Sequence, residues 1–369
     1  MRLLLLALLS AVWLTPSHAK LTAGPKATVL KDGQPFRAIG INYFNCFLRT
    51  LEKAEDTSYE AGFATLAAKQ IPFARFCATG FWPADMKLYQ ENRAEYFRRL
   101  DAVVNAAQKH GIGLIPSLFW NHSCVPDLVE EPMDQWANPQ SKTQAWMRQY
   151  VREVVTRYRD HPAIQAWEFG NEYSLQASLP NAKEHRPAIH PTLGTPATRS
   201  AQDDLSFAMV RRAYTLFATE IRRHDPDRLI FSGDSFPRLS AWHQEHENTW
   251  TNDTPEQFAE SLTLANPDPV NTLSVHAYEN DDQRFASAME VSRKVNKPLF
   301  VGEFGVPGDT PEQAATCRRM LKGIVDHRIP LAALWVFDFP NQQDFNVTTS
   351  NPRSWQLDLI AEANRQFQP

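Results

Sequence analysis

The sequence lacks an excess of charge of either sign. It has 38 Lys and Arg residues against 42 Asp and Glu residues, a formal net charge of −4 and an isoelectric point near 6.3. Proteins that bind nucleic acid or anionic membranes do so through concentrated basic side chains. The composition therefore argues against both kinds of partner.

Long apolar runs are missing beyond the N-terminus. The run at residues 3–14 follows Arg2 and precedes a small-residue exit at residues 17–19. It is shorter than the ~20 residues that a membrane-spanning helix needs. These features are typical of a cleaved secretory signal, although a buried N-terminal helix is the alternative. We predict a signal peptide at residues 1–19, a mature chain at residues 20–369, and a secreted or periplasmic protein without a membrane span.

Cysteine is scarce, with four residues in the chain. Cys46, Cys77 and Cys124 each follow one of the first three predicted strands, and Cys317 lies alone in a late predicted helix. Because exported proteins meet oxidising conditions, we expect one disulfide among the first three, and the sequence leaves the pairing open. No cysteine stands beside a convincing base, which argues against a cysteine nucleophile.

Metal-binding spacings are absent as well. The loop histidines His185, His190, His243 and His246 fit no strong zinc template. An exported protein also has little access to intracellular nucleotides. We therefore predict neither a metal nor a cofactor.

What the chain does contain is a regular alternation of strand and helix patterns without a break in composition. Eight apolar strand candidates alternate with eight amphipathic segments. This pattern predicts a single (β/α)8 TIM barrel, preceded by a small hairpin around Asp32 and Gly33. The predicted strands are residues 38–43, 72–76, 112–118, 164–168, 228–232, 272–276, 299–301 and 331–336.

The longest predicted loops all follow strands. They span residues 121–140, 174–204, 234–254 and 338–352. In a (β/α)8 barrel the loops after the strands build the active site. We therefore predict extended loops on that face, with residues 174–204 forming one wall of a cleft, or alternatively a variable surface insertion.

Two predicted strands end in carboxylates. Residues 166–173 alternate apolar and polar side chains and end near Asn171 and Glu172, and residues 298–305 place Glu303 after an apolar run. Burying such groups costs free energy, which enzymes tolerate where the groups do chemistry. Two carboxylates at strand ends are typical of a glycosidase.

The motifs around these carboxylates resemble a known family. Residues 167–172 and 301–305 are similar to the fourth- and seventh-strand motifs of glycoside hydrolase family 5, the cellulase and β-mannanase family. The resemblance covers nearly the whole mature chain, in order. Further matching positions are residues 40–43 in the first strand, Arg75 in the second, His276 and Tyr278 in the sixth, and Trp335 in the eighth.

The resemblance implies catalytic roles. Glu172 would be the general acid/base, with its pKa raised by an apolar wall and by the negative charge of Glu303. Glu303 would be the nucleophile, kept ionised by Arg75 and Tyr278. Glu168 shares the strand parity of Glu172, and we interpret it as a support for Arg75. The two catalytic carboxyl groups are expected about 5–5.5 Å apart, the spacing of retaining enzymes.

The resemblance also implies sugar-binding roles. Asn171 would bond the sugar 2-hydroxyl, and His276 would orient a carboxylate or bind a hydroxyl. Trp335 would be a stacking floor, and we predict that both Trp335 and Trp120 are partly exposed in the cleft. The alternative is that these rings are core.

The choice of sugar rests on departures from the family pattern. Residues 117–122 place aromatic residues where many cellulases of the family carry a histidine, and Tyr173 follows the acid/base position. We predict a secreted, monomeric, retaining β-glycosidase that acts on a β-linked polysaccharide or oligosaccharide, foremost an endo-β-1,4-mannanase. The alternatives are a β-1,4-glucanase (cellulase), an exo-acting β-mannosidase or β-glucosidase, and a catalytically inactive carbohydrate-binding barrel.

Overall fold

The computed structural model describes residues 20–278 and 282–367. The predicted signal peptide lies outside the described residues. Within the described part of the chain, no helix combines the length and apolar character needed to cross a membrane.

The centre of the molecule is an eight-stranded parallel sheet curled into a nearly closed barrel, which confirms the predicted fold. Each strand is buried along its whole length, as expected where both faces of a parallel sheet are covered. The strands are β4 (Ala38–Asn42), β5 (Phe73–Cys77), β6 (Gly113–Phe119), β7 (Ala166–Gly170), β8 (Leu229–Phe231), β9 (Leu273–Ala277), β10 (Leu299–Phe304) and β11 (Leu331–Leu334).

The barrel closes through side chains at one seam. The strand ladder runs from β8 through β7, β6, β5, β4, β11 and β10 to β9. Between β8 and β9, Asn271 accepts from the backbone N–H of Ile230 at 2.8 Å, and the Thr272 hydroxyl donates to the carbonyl of Ile230 at 2.5 Å. These bonds satisfy the edge of β8, which would otherwise lack partners.

Twelve α-helices occur in the described residues. Eight of ten or more residues pack around the barrel, as the amphipathic pattern predicts, and four of five or six residues lie in loops that follow strands. The helices are α1 (Leu48–Glu52), α2 (Ser58–Ala68), α3 (Lys87–Glu91), α4 (Arg93–Lys109), α5 (Cys124–Leu128), α6 (Lys142–Tyr158), α7 (Phe207–His224), α8 (Ala241–His246), α9 (Pro255–Leu264), α10 (Asp282–Val295), α11 (Pro311–Asp326) and α12 (Trp355–Phe367).

A three-stranded antiparallel sheet covers the N-terminal end of the barrel. It contains β1 (Leu21–Ala23), β2 (Val29–Lys31) and β3 (Gln34–Phe36). The predicted hairpin is present as β2 and β3, and β1 is a strand that the sequence analysis missed. The backbone N–H of Leu21 donates to the carbonyl of Gln165, just before β7 begins. The small sheet therefore closes the bottom of the barrel and leaves the opposite face for the site.

The expected disulfide is wrong. All four cysteines are free and buried. The Cys77 thiol lies 3.4 Å from the carbonyl oxygen of Thr79, and the Cys124 thiol 3.6 Å from that of Gly80. These two thiols therefore have one polar contact each and pack as small apolar side chains.

Candidate active site

Glu172 follows β7 on a turn in the left-handed backbone conformation, with φ of 55°. Such a conformation costs a non-glycine residue about 1–3 kcal/mol and is concentrated at functional sites. Its backbone N–H donates to the carbonyl of Gly233 at 3.0 Å. Gly233 itself has φ of 75°, and a Cβ there would lie 1.9 Å from the carbonyl oxygen of Gly170. Only glycine permits this close approach of two loops, which fixes the turn that carries Glu172.

Asp234 anchors the chain after Glu172. One of its oxygens accepts from the hydroxyl and the backbone N–H of Ser174, at 2.6 and 3.2 Å, and the other accepts from Tyr214 at 3.0 Å. Burial raises the pKa of Asp234 to about 6, and these hydrogen bonds oppose the rise. Sequence reasoning missed this residue, whose position directly after the Gly233 turn was the available signal.

Glu303 lies in β10 beside His276 of β9, and it is 3 % exposed. One carboxylate oxygen accepts from Arg75 at 2.7 Å, and the other accepts a short hydrogen bond from the Tyr278 hydroxyl. Burial raises the pKa of Glu303, while Arg75 and Tyr278 oppose the rise because each stabilises the ionised carboxylate. The structure thus brings both predicted partners to this residue.

Arg75 lies at the centre of the site, where it forms hydrogen bonds with several of the polar residues, and it has no exposed surface. Its Nε donates to both oxygens of Glu168, at 2.7 and 2.9 Å, as the strand parity of Glu168 predicts. The terminal nitrogens donate to Asn42 at 3.0 Å and to Asn171 at 2.9 Å, in addition to Glu303. One buried cation therefore serves two buried carboxylates and orients two amides.

The two strand-end glutamates meet across the barrel mouth. An oxygen of Glu172, an oxygen of Glu303 and a nitrogen of His276 all lie within 4.8 Å of one another. Such a set could hold a cation, but each of the three residues already has a partner within the protein. The separation matches the short spacing of retaining glycosidases, about 5–5.5 Å, rather than the longer spacing of inverting ones.

The electrostatics distinguish the two carboxyl groups. Burial raises the pKa of Glu172 to about 7, partly offset by the positive charge of Arg75. The sequence analysis also attributed part of this rise to the negative charge of Glu303. In the structure the repulsion between the two glutamates instead raises the pKa of Glu303. Among the described residues, Glu303 has a direct cationic partner and Glu172 has none, so Glu172 is the group that retains a proton near neutrality.

His276 orients Glu172. Its Nδ1 lies 2.9 Å from an oxygen of Glu172 and 3.6 Å from Glu303. Burial lowers the pKa of the imidazole to about 3. The ring is therefore neutral at ordinary pH. The contact holds one proton, either on Nδ1 facing an ionised Glu172 or on the carboxyl group facing an unprotonated Nδ1.

The glutamates open into a cavity of about 1080 Å³. Trp120 and Trp335 line it, but both rings are buried, at 5 % and 7 % exposed, so the prediction that they are partly exposed is wrong. The two rings pack against each other at 5.8 Å between centroids, and the Arg75 guanidinium lies 4.1 Å above Trp120. These contacts cover most of both rings, so only a small part of each faces the cavity.

More exposed aromatic rings border the same cavity. Sequence reasoning predicted Tyr278 and missed the other rings, although Phe81 and Trp82 form an aromatic pair directly after the second barrel strand. Leu193 also lines the cavity, so the loop at residues 174–204 does supply part of a wall. The half-buried rings that border it are Phe81, Trp82, Tyr278, Phe339 and Phe345.

This chain is similar to known proteins both in sequence and in fold. A mannan endo-1,4-beta-mannosidase F from Aspergillus clavatus is 25 % identical over 231 residues, which cover 58 % of this chain and 46 % of that protein. The match thus spans less than half the length of that relative. The solved endo-1,4-beta-mannanase of Rhizomucor miehei has 16 % identity and a TM-score of 0.67, covering 94 % of this chain and 99 % of that one.

A solved mannosidase of glycoside hydrolase family 5, also from Rhizomucor miehei, has 12 % identity and a TM-score of 0.68, covering 96 % of this chain and 99 % of that one. At these identities the solved structures support the fold alone. The family model described as cellulase (glycosyl hydrolase family 5) matches residues 29–337, which is most of the chain. The chain therefore belongs to glycosyl hydrolase family 5.

Proposed function

We propose that the protein is a retaining β-glycoside hydrolase, with Glu172 as general acid/base and Glu303 as nucleophile. The observation that carries this proposal is the glutamate pair itself, with one oxygen of each within 4.8 Å and only Glu303 paired with a cation. A carboxylate stabilised by Arg75 can attack, and a carboxyl group with a pKa near 7 can donate a proton. An inactive carbohydrate-binding barrel would not need this division of roles.

The reaction would proceed by double displacement. The Glu303 carboxylate attacks the anomeric carbon, while Glu172 gives its proton to the departing glycosidic oxygen. A covalent glycosyl–enzyme ester forms and the bond to the leaving sugar breaks. Glu172, now ionised, then removes a proton from water, which attacks the same carbon and releases Glu303. Two inversions give net retention.

The substrate class that we propose is β-1,4-mannan, cleaved within the chain. Supporting observations are the mannan-acting relative and the aromatic residues in the stretch 117–122, where many cellulases of the family carry a histidine. Asn171 is fixed by Arg75 beside Glu172, where it would contact the 2-hydroxyl of the sugar, the group whose configuration differs between mannose and glucose. An exo-acting mannosidase remains the second candidate, because the Trp82 and His190 rings pack together at 5.1 Å and narrow one side of the cleft.

The test is hydrolysis of a substrate panel followed by sizing of the products. Purified protein would be incubated with mannan, glucomannan, cellulose and β-glucan. We expect mannan and glucomannan to yield a range of short oligosaccharides early in the reaction. Release of monosaccharide alone would establish exo action, cleavage of cellulose in preference to mannan would establish a glucanase, and no release from any substrate would contradict the enzymatic function.

The pKa of Glu172 predicts the alkaline limb of the pH profile. The acid must be protonated, so kcat/KM for an oligosaccharide should fall tenfold per pH unit as pH rises beyond about 7. A dinitrophenyl glycoside releases dinitrophenolate, which needs no proton to depart. The alkaline fall of kcat/KM for this substrate should therefore be much weaker. Initial rates on both substrates across the neutral range would check this. Identical limbs for the two substrates would contradict the acid role of Glu172.

We also propose that the protein is exported and acts as a monomer, with residues 1–19 removed and residues 20–369 forming the catalytic domain. Expression in a secreting host, followed by N-terminal sequencing and light scattering, would test both points. Mature protein that starts at Met1 would contradict the signal peptide.

A further inference from the structure

The residue that we propose as general acid also begins a short helix. Glu172 occupies the N-cap position of the 3₁₀ helix Tyr173–Gln176. An N-cap side chain usually accepts a hydrogen bond from the backbone N–H of the second or third helical residue. Among the described residues, the carboxyl group of Glu172 accepts no such bond, and it lies in the site beside Nδ1 of His276 instead. The helix therefore needs another acceptor at its N-terminus.

Asp234 supplies that acceptor from the loop after β8. Its Oδ1 accepts from the backbone N–H of Ser174, the second residue of the helix, at 3.2 Å and from the Ser174 hydroxyl at 2.6 Å. The neighbouring carbonyl of Gly233 accepts from the backbone N–H of Glu172 at 3.0 Å. Asp234 is fully buried, and its other oxygen accepts from Tyr214. A carboxylate from another loop thus takes the capping position that the side chain of Glu172 leaves open.

Arg238 of the same loop binds the other end of the helix. Its Nη1 donates to the carbonyl of Ser174 at 2.5 Å, and its Nη2 donates to the carbonyl of Ala177 at 2.6 Å. Its Nε donates to Gln244 of α8 at 2.7 Å, which fixes the guanidinium. Burial lowers the pKa of Arg238 to about 10 and the charge of Asp234 opposes this fall, so the guanidinium is positive at neutral pH. Opposite charges therefore meet the two ends of the helix with the signs that its dipole favours.

We infer that Asp234 and Arg238 are positioning residues for the proton transfer by Glu172. We call them the capping pair, because they satisfy the two ends of the helix that Glu172 begins and leave its carboxyl group free for the reaction. Neither of them lines the large cavity that the described residues form, so they act through the backbone that carries Glu172. The inference deepens the proposed function and rests on it.

The other groups of the site are held independently of the capping pair. Arg75 binds the nucleophile Glu303 at 2.7 Å and fixes Asn171 at 2.9 Å. His276 contacts only the carboxyl end of Glu172 and leaves its backbone to other partners. Loss of the capping pair should therefore displace the acid while the nucleophile and the sugar-binding amide stay in place.

The first test is Arg238→Met, with kcat/KM measured on two substrates that differ in their need for an acid. Mannotetraose needs a proton on its leaving sugar, whereas a dinitrophenyl β-mannobioside releases dinitrophenolate without one. On mannotetraose, kcat/KM should fall about tenfold to 100-fold, since a misplacement of about 1 Å can cost about 100-fold. On the dinitrophenyl substrate, kcat/KM should stay within about twofold of the parent, because it reports only the first step.

The second step of the reaction gives a separate readout, because Glu172 also acts there as the base. In Arg238→Met, hydrolysis of the glycosyl–enzyme should slow, so kcat and KM for the dinitrophenyl substrate should fall together. A variant that was merely less well folded would lose kcat on both substrates at unchanged KM. That result would overturn the inference.

Asp234 allows a test by conservative replacement. Asp234→Asn keeps an oxygen for Ser174, and its amide can donate to the Tyr214 hydroxyl, so both rates should stay near those of the parent. Asp234→Ala removes the acceptor and should reproduce the pattern of Arg238→Met. If Asp234→Ala does not fold, Arg238→Met decides the question, since it changes a half-buried side chain. A loss in Asp234→Asn as large as that in Asp234→Ala would contradict the capping role.

The matched control is Arg211→Met. Arg211 is a half-buried arginine of α7 that donates to Glu245 of α8 at 2.9 Å, so it holds the same loop without reaching the helix after Glu172. This control should leave both rates unchanged. An equal loss in Arg211→Met and Arg238→Met would overturn the inference while leaving the proposed function intact. A parent that cleaves neither substrate, nor their cellulose counterparts, would contradict the proposed function and the inference with it.

Discussion

Glu303→Ala should lower turnover of mannan by several orders of magnitude, about 10⁵-fold, because no glycosyl–enzyme ester can form. Adding azide should restore part of the activity, since a small anion fits the space left by the carboxylate and attacks the anomeric carbon from that side. The product would be an α-glycosyl azide, of inverted configuration. NMR of the azide product, beside rates with and without azide, would check the prediction.

Glu172→Ala should give the complementary result. A dinitrophenyl glycoside would still form the intermediate, because its leaving group needs no proton, whereas the second step would slow without a base. Azide would then intercept the intermediate and give a β-glycosyl azide of retained configuration. If the two variants gave the opposite stereochemical pattern, the two roles would be exchanged.

The control for both variants is Glu362→Ala, which removes an exposed carboxylate on α12 far from the barrel mouth. It should retain the parental activity and product configuration. If Glu303→Ala hydrolysed every substrate as fast as this control, the site would lie elsewhere.

Arg75→Met should have the largest effect on stability. The substitution leaves Glu168 and Glu303 buried without their shared cation, and losing one partner of a buried pair costs about 3–5 kcal/mol. Activity should be lost as well, because Glu303 would no longer be held as a carboxylate. Equilibrium unfolding in denaturant, with kinetics under folding conditions, would measure both effects.

The pH dependence of this loss identifies its cause. In Arg75→Met, burial raises the pKa of both glutamates in the folded state above their unfolded value of about 4.3. The folded state then binds more protons than the unfolded one, so stability falls as pH rises above that value. The stability difference between parent and variant should therefore shrink in acid. A difference that is independent of pH would point to lost packing instead.

Two variants control for the arginine change. Arg98→Met removes an exposed arginine paired with Glu95 on α4, and surface pairs of this kind are worth about 1 kcal/mol or less. Arg75→Met combined with Glu168→Gln removes one stranded charge, so it should recover part of the lost stability. No recovery in the double variant would contradict the buried-charge explanation.

The sequence by itself determined the barrel, most of its strand positions and the place of both glutamates. These features depend on local patterns, because a buried parallel strand is an apolar run and the loops after such strands meet at one face. The strand parity of Glu168 predicted that it points inward, and the family resemblance supplied Arg75 as its partner. Strand β1 escaped detection, since three residues carry too little periodicity to distinguish a strand from a loop.

Only the tertiary structure decided how the site is enclosed. The left-handed turn at Glu172 depends on contact with Gly233, some sixty residues later in the chain, and no local pattern reports such a contact. The low exposure of Trp120 and Trp335 follows from their packing on each other and on Arg75. In each case the deciding partner is distant in sequence, and the fold alone brings it near.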